Sequence, residues 1–349
     1  MPKRVGILTF HHTTNYGATL QAWALQKRLR ELGVASEIID YRPAKARAAY
    51  GLVLNRRFLQ GARKAFAFAR FRQGHLQLSP QVITDLRSLP GIVAQYDTVI
   101  CGSDEVWNTS SFRGYDPGFF LPFSVTAHVR KCSYAASAGS TASFGEYRSV
   151  IADAIRAFAT VSVRDEGTRK LLRHECGIDA LTVIDPTLLV NFDELITDDQ
   201  PQRSPYVLIY GSLSVAEQHM VSTKAAQMGC RIVAVGEFHQ CADENLAHEG
   251  VESWLSLMRA AEMVFTGFFH GAIFAWKFGR PLVVFKRADK EMKINGFAND
   301  MELLPEPFLP GAESDSGVNA IAYSSSESSM TRLAAAQERA QQFLRNCLA

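Results

Sequence analysis

Val5-Gly6-Ile7-Leu8-Thr9-Phe10-His11-His12-Thr13-Thr14-Asn15-Tyr16-Gly17, continued by a helical pattern to Gly33 and a second apolar run at 34–41, is the stretch that decides the fold. The first six residues are a short apolar run of strand type, and the next seven are a polar turn that contains a glycine. Leu20, Trp23, Ala24, Leu25 and Leu29 then recur at helical spacing, and Gly33 marks the stop. Strand, loop, helix and strand in one unbroken stretch begin a βαβ sheet.

The same alternation continues outward. Residues 42–72 read as helical, strand-like runs follow at 97–102, 131–136, 160–164 and 181–186, and helical patterns fit between them at 144–157 and 166–174. The polar, proline-containing stretch 193–205 reads as a linker. A second series then alternates strand and helix, with strands at 206–210, 231–235, 263–266 and 282–285 and helices at 215–228, 251–261 and 270–278. Residues 313–329, rich in serine and acid, read as a loop, and 327–347 as a final helix. This pattern predicts an α/β protein with two Rossmann-like domains facing a cleft. The expected boundaries are 1–195 on the acceptor side, 203–325 on the donor side, and a C-terminal helix, 327–349, crossing back.

The chain has 349 residues, 47% of them hydrophobic and 21% charged, an ordinary globular composition. No uncharged apolar run reaches the roughly 18 residues a spanning helix needs. The N-terminal apolar run turns polar at His11, too early for a signal-peptide core. Cys101, Cys132, Cys176, Cys230, Cys241 and Cys347 lie far apart with no Cys-x-x-Cys, which points to reduced thiols in a cytoplasmic protein and to no metal site.

The net charge of +2 conceals an asymmetry. No acidic residue stands between Asp40 and Asp85, and residues 42–72 carry Arg42, Lys45, Arg47, Arg56, Arg57, Arg63, Lys64, Arg70 and Arg72. That segment is +9 and the remainder is −7. With Phe58, Phe66, Phe68 and Phe71 among the bases, it reads as a surface for anionic lipid headgroups or a lipid-linked pyrophosphate, and so as peripheral contact with the inner face of a membrane. The plainer alternative is a solvated helix face. No nucleic-acid motif accompanies it, and nucleic acid is not expected as a partner.

Ligands of such sheets sit at the carboxyl ends of the strands, so the loops there hold the candidate site. Asn15, Tyr16 and Gly17 occupy the first such loop, either as a binding turn or as a plain turn in which Asn15 caps the helix; the loop lacks the Gly-x-Gly-x-x-Gly pattern of dinucleotide binding. Ser103 and Asp104 follow the strand-like run at 97–102; a carboxylate there could orient or deprotonate a hydroxyl, or Ser and Asp could simply cap a helix. Arg164 ends another strand and must meet an anion, either a substrate phosphate or carboxylate or a neighbouring acid. Phe269-His270-Gly271 stands at a strand-to-helix turn, where a histidine can move a proton. Lys286, Arg287 and Lys290 follow the next strand and could hold an anionic donor.

Taken in order, several pieces resemble the polysaccharide pyruvyltransferase family. They are Val5 to Phe10 with Asn15-Tyr16-Gly17-Ala18 and Leu20-Gln21-Ala22, Gly102-Ser103-Asp104-Glu105-Val106-Trp107-Asn108, Ser133-Tyr134-Ala135-Ala136-Ser137, Ser162-Val163-Arg164-Asp165-Glu166, Asp185-Pro186-Thr187-Leu188-Leu189, and Phe269-His270-Gly271 with Phe278-Gly279-Arg280-Pro281. The resemblance implies a fold like that of GT-B glycosyltransferases. It implies transfer of a pyruvyl group from phosphoenolpyruvate to two hydroxyls of a free or lipid-linked sugar, forming a ketal in surface-polysaccharide biosynthesis, with no cofactor beyond that substrate. The alternative on the same architecture is a glycosyltransferase with a nucleotide-sugar donor. The family's histidine and arginine match His270 and Arg164, and Asp104 is a third matched position. On this reading His270, Arg164 and Asp104 are catalytic. Arg164, Phe269, His270, Gly271, Lys286 and Lys290 bind the donor, and Asn15, Tyr16, Gly17, Ser103 and Asp104 bind the acceptor. Glu105 departs from the family's usual glutamine.

Overall fold

A computed structural model describes residues 3–43, 58–124, 128–196, 204–287, 291–308 and 318–349. Lys45, Arg47, Arg56, Arg57 and Lys290, and much of the expected linker, lie outside the described residues. The chain divides into two compact units. The first comprises Met1–Val53, Arg72–Asn191 and Ala334–Ala349, and the second comprises Leu54–Phe71 and Phe192–Leu333.

The first unit is built on strands β1 (Arg4–Leu8), β2 (Ala35–Ile38), β3 (Thr98–Cys101), β4 (Arg130–Ala136), β5 (Thr160–Val163) and β6 (Leu181–Thr182). They form a parallel sheet in the order β2-β1-β3-β4-β5-β6. Thr98, Val99, Ile100 and Cys101 are all buried, as expected of a strand covered on both faces. The helix Tyr16–Glu31 links β1 to β2 and turns Leu20, Trp23, Leu25 and Leu29 inward. The end of the C-terminal helix Ser329–Leu348 packs in this unit: Gln337 donates to the Leu188 carbonyl at 2.7 Å, and the Phe343 ring stands 6.3 Å from Tyr134. All six cysteines are free thiols.

The second unit holds β7 (Tyr206–Tyr210), β8 (Arg231–Val235), β9 (Glu244–Leu246), β10 (Met263–Thr266), β11 (Leu282–Phe285), β12 (Leu304–Pro307) and β13 (Ala320–Ser324). Their order is β12-β13-β11-β10-β7-β8-β9. The five strands from β7 to β11 are parallel, whereas β13 runs antiparallel to both β11 and β12. Val207, Ile209, Phe265, Val283 and Phe285 are core residues on these strands.

Several features differ from the sequence reading, among them the strand read at 181–186, which is only Leu181–Thr182, and β9 and β12, which were not read; three others show their physical reason. The second strand ends at Ile38 rather than at Tyr41, because the Asp40 amide donates to Ser79 Oγ and Tyr41 bridges to Ile83 instead. The stretch expected as a loop at 313–329 contains β13, whose register against β11 (Leu282 opposite Tyr323) supplies bonds that local composition does not reveal. The described residues 58–71, placed by sequence in the N-terminal domain, cluster with the second unit, where Ala67 lies against Gly250.

In the second unit the helix Phe269–Lys277 approaches β10 and β7 closely at Gly271. A Cβ there would stand 2.3 Å from Thr266 Oγ1 and 2.9 Å from Tyr210 Cδ1. Gly271→Ala is therefore expected to destabilise the protein by about 1–3 kcal/mol through overpacking. Gly74→Ala, where a Cβ meets nothing within 4 Å, is expected to be neutral or stabilising. Equal urea midpoints for the two variants would refute the close-approach argument.

Candidate functional site

In the first unit the site grows from the end of β3. Gly102 has φ +103°, and a Cβ on it would lie 2.5 Å from the Tyr134 carbonyl oxygen, so glycine alone fits. The chain then places Asp104 in the left-handed region at φ 76°, a conformation an aspartate tolerates better than most residues. Asp104 Oδ1 accepts from its neighbour's amide, Glu105 N, at 2.8 Å, and from Arg164 Nη2 at 3.0 Å. Arg164, just past β5, donates through Nη1 to Asp185 Oδ2 at 2.8 Å. Asp185 Oδ1 accepts from the Thr187 amide and hydroxyl at 3.0 and 2.7 Å.

Of the two anions considered for Arg164, the structure supplies the neighbouring acids. The guanidinium is buried, and burial by itself would lower its pKa; the charges of Asp104 and Asp185 outweigh that and raise it. Ser103 is fully buried, with its hydroxyl donating to the Ala135 carbonyl at 2.9 Å. Asn15 is exposed and caps the first helix, its Oδ1 accepting from Ala18 N at 3.0 Å, so the cap reading of that residue is realised. Tyr16 and Gly17 behind it are buried. Glu105 Oε2 accepts from Asn108 Nδ2 at 2.7 Å.

Two further features border the first unit's strand ends. Phe10, Tyr41, Glu105, Arg113, Tyr115 and Phe119 are among the residues lining a cavity of about 190 Å³. Beside it lies a buried polar cluster. His11 donates from Nδ1 to the Thr9 carbonyl at 3.1 Å, and its Nε2 stands 3.0 Å from Asp40 Oδ1. Arg42 grips the same carboxylate through Nε and Nη2 at 2.5 and 2.8 Å. Burial alone would raise Asp40, but the bonds from His11 and Arg42 prevail and hold it at about 2. His12 is pushed down to about 3 by burial first, then by the charges of His11, Arg42 and Arg72.

In the second unit Thr266, at the end of β10, donates its hydroxyl to the Tyr210 carbonyl at 2.6 Å and accepts from Phe268 N at 3.0 Å. That fixes the turn into the Phe269–Lys277 helix, whose N-cap residue Phe268 provides no side-chain cap. His270 is buried in the first turn, with its ring 5.2 Å from that of the half-buried Phe269. Lys286 follows β11, its amide donating to the Asn319 carbonyl at 3.0 Å. Arg287 is bidentate to Glu217 at 2.6 and 2.7 Å. Glu217 also closes the capping box of the helix Val215–Met228.

Asp104, Ser103 and Arg164 thus come together in the first unit, with Asn15, Tyr16 and Gly17 at the neighbouring strand end. Phe269, His270, Gly271 and Lys286 belong to the second. Sequence reasoning gave no role to Asp185 or Glu217, and it read Arg287 as a base for an anionic donor, whereas the structure pairs it with Glu217. Asp185-Pro186 after a strand was the available signal for the first, and the Ser214-x-x-Glu217 capping pattern for the second. Among the described residues, no group of three or more His, Cys, Asp and Glu side chains is placed to hold a metal ion, and no helix is long and apolar enough to cross a membrane.

The polysaccharide pyruvyl transferase family profile matches residues 15–289. No curated protein matches the chain significantly in sequence. Among solved structures, a UDP-GlcNAc 2-epimerase from Neisseria meningitidis, bound to UDP-GlcNAc, superposes with a TM-score of 0.51 at 9% identity, covering 99% of each chain. Another UDP-N-acetylglucosamine 2-epimerase gives 0.51 at 10% identity, covering 98% of this chain and 95% of that one. A third, from Listeria monocytogenes and described as a possible member of the same enzyme class, gives 0.50 at 11% identity, covering 86% and 82%. At such identities the likeness concerns the fold alone, and it agrees with the α/β, GT-B-like class expected from the sequence.

Two predictions follow from the buried charges. Arg164→Ala leaves two carboxylates without their cation and should cost about 3–5 kcal/mol of stability. Adding Asp185→Asn should restore part of the loss in urea denaturation; no restoration would disprove the pairing energetics. The second concerns acid. His12 in the folded chain titrates below its unfolded value, so its contribution is present above about 6.5 and is lost as the pH falls toward 3. Asp40 adds a similar loss from its ordinary 3.8 down to about 2. The urea midpoint should therefore fall between pH 7 and pH 5, and His12→Gln should flatten that slope. An unchanged slope in the variant would exclude His12 as its source.

Proposed function

The chain belongs to the polysaccharide pyruvyl transferase family, and on that premise we propose that it moves a pyruvyl group from phosphoenolpyruvate to two hydroxyls of one sugar. The observation that carries this reading is the family match together with the position of its polar motif residues. Asp104 and Arg164 follow β3 and β5, and His270 follows β10, each past the carboxyl end of a parallel strand.

The chemistry sets the roles. C3 of the enol gains a proton and C2 becomes electrophilic. One sugar hydroxyl adds to C2, and the second displaces phosphate there to close the ketal. Of the two hydroxyl protons released, the balance places one on the new methyl group and one on phosphate. Asp104 serves as the hydroxyl base: its Oδ1 is held by Glu105 N and Arg164, while Oδ2 enters neither bond. Arg164 acts through Asp104, as a positioning residue. Asn15 and the cavity bordered by Phe10, Tyr115 and Arg113 belong to the acceptor side, where aromatic walls suit the C–H face of a sugar ring.

The second unit supplies the donor side. The uncapped first turn of the Phe269–Lys277 helix offers amide groups and a positive dipole end to a phosphate, with His270 in that turn and Lys286 on the following strand end. His270 is the proton donor. Gly271 keeps the helix close to β10 and so sets where the histidine stands.

A coupled phosphate-release assay with phosphoenolpyruvate and a panel of lipid-linked and nucleotide-linked sugars tests donor and acceptor together. His270→Asn and Asp104→Asn should each lower kcat by about 10²–10⁴-fold while the protein remains folded. Wild-type turnover in either variant would remove that residue from the reaction. Turnover of a nucleotide-sugar with none of phosphoenolpyruvate would overturn the donor assignment.

A further inference from the structure

The helix Phe58–His75 carries a feature that pyruvyl transfer does not use. Phe68 and Phe71 are buried and anchor one side of it. Lys64 leans the same way, its ammonium 5.9 Å from the Phe68 ring centroid. On the opposite side Arg63, Phe66, Arg70 and Gln73 are exposed, and Phe66 is 72% exposed. At helical spacing these four positions fall within an arc of about 80°. Among the described residues Arg63 and Arg70 form no ion pair.

An exposed aromatic ring between two arginines that form no ion pair among the described residues has no role in this chain's own core. Charge complementarity names its counterpart. The surrounding sequence, 41–84, contains no acidic residue, so nothing nearby in sequence offsets an anionic surface. A single-stranded nucleic acid stacks successive bases on several aromatic platforms along a basic track, and this face presents one exposed ring with no nucleic-acid motif around it. A bilayer has use for both, since headgroups meet the guanidinium groups and the ring enters the interface. We propose that the Arg63–Phe66–Arg70 face docks on the anionic phospholipid headgroups of a membrane. The segment identified from sequence is thereby narrowed, because Lys64 faces inward and Arg56 and Arg57 lie outside the described residues. The inference goes beyond the pyruvyl-transfer reading and does not depend on it.

The test is co-sedimentation of the full chain with phosphatidylcholine vesicles, with and without about one-third phosphatidylglycerol, at low and high salt. Binding should require the anionic lipid and fade at high salt. Arg63→Gln with Arg70→Gln should weaken it by about 25-fold, from roughly fivefold per arginine. Phe66→Ala should weaken it by about tenfold, as for burial of one aromatic ring. Turnover with soluble substrates should be unchanged in these variants, which separates this proposal from the assignment of the reaction. Should the arginine variant fail to fold, Phe66→Trp provides a second reading: its difference fluorescence should shift to shorter wavelength on addition of anionic vesicles only. Absence of binding to anionic vesicles at low salt, equal binding to neutral vesicles, or unchanged binding in the arginine variant would overturn the proposal. So would binding of single-stranded RNA by a protein that ignores vesicles.

Discussion

Arg164 ties together segments far apart in the sequence. It stands beyond β5, reaches Asp104 beyond β3 at 3.0 Å, and reaches Asp185 in the turn after β6 at 2.8 Å. The guanidinium is buried, so the arrangement holds only while both carboxylates remain ionised and in place. Much of the first unit's site geometry follows from it. Asp104 can occupy a left-handed conformation because its side chain is held from two directions, and Gly102 lets the chain pass against Tyr134 to reach that point. Asp185 in turn is held by Thr187, which stiffens the far end of the pair.

The second unit reaches the same end by other means. Its counterpart strand end is set by steric contact: Thr266 bonds to Tyr210, and the absence of a side chain at Gly271 allows a helix to close on both. His270 inherits its position from that packing. Arg287 and Glu217 form a second pair, which joins the turn after β11 to the start of the Val215–Met228 helix through a capping box. One unit places a carboxylate with charges; the other places an imidazole with packing.

The strands of both sheets were largely legible, because apolar runs between polar turns are a local signal and parallel strands are buried on both faces. β9, β12 and β13 were not; β13, for one, is a short run among serines that becomes a strand only when β11 stands beside it. Asn15 could be read as a cap because capping is a contact over three residues. The partner of Arg164 could not be read, because its acids are 60 and 21 residues distant and only the assembled sheet brings them together.

By itself the sequence determined the order of elements, the placement of motif residues just past strand ends, and a basic segment without compensating acid. These follow from periodicity and composition, which act over a few residues. Only the tertiary structure decided which anion Arg164 meets, that Ser103 turns inward, that residues 58–71 cluster with the second unit, and that Phe66 rather than Phe68 or Phe71 faces water. Each of those outcomes depends on which surface arrives opposite a residue once the chain has packed, and no local pattern carries that information.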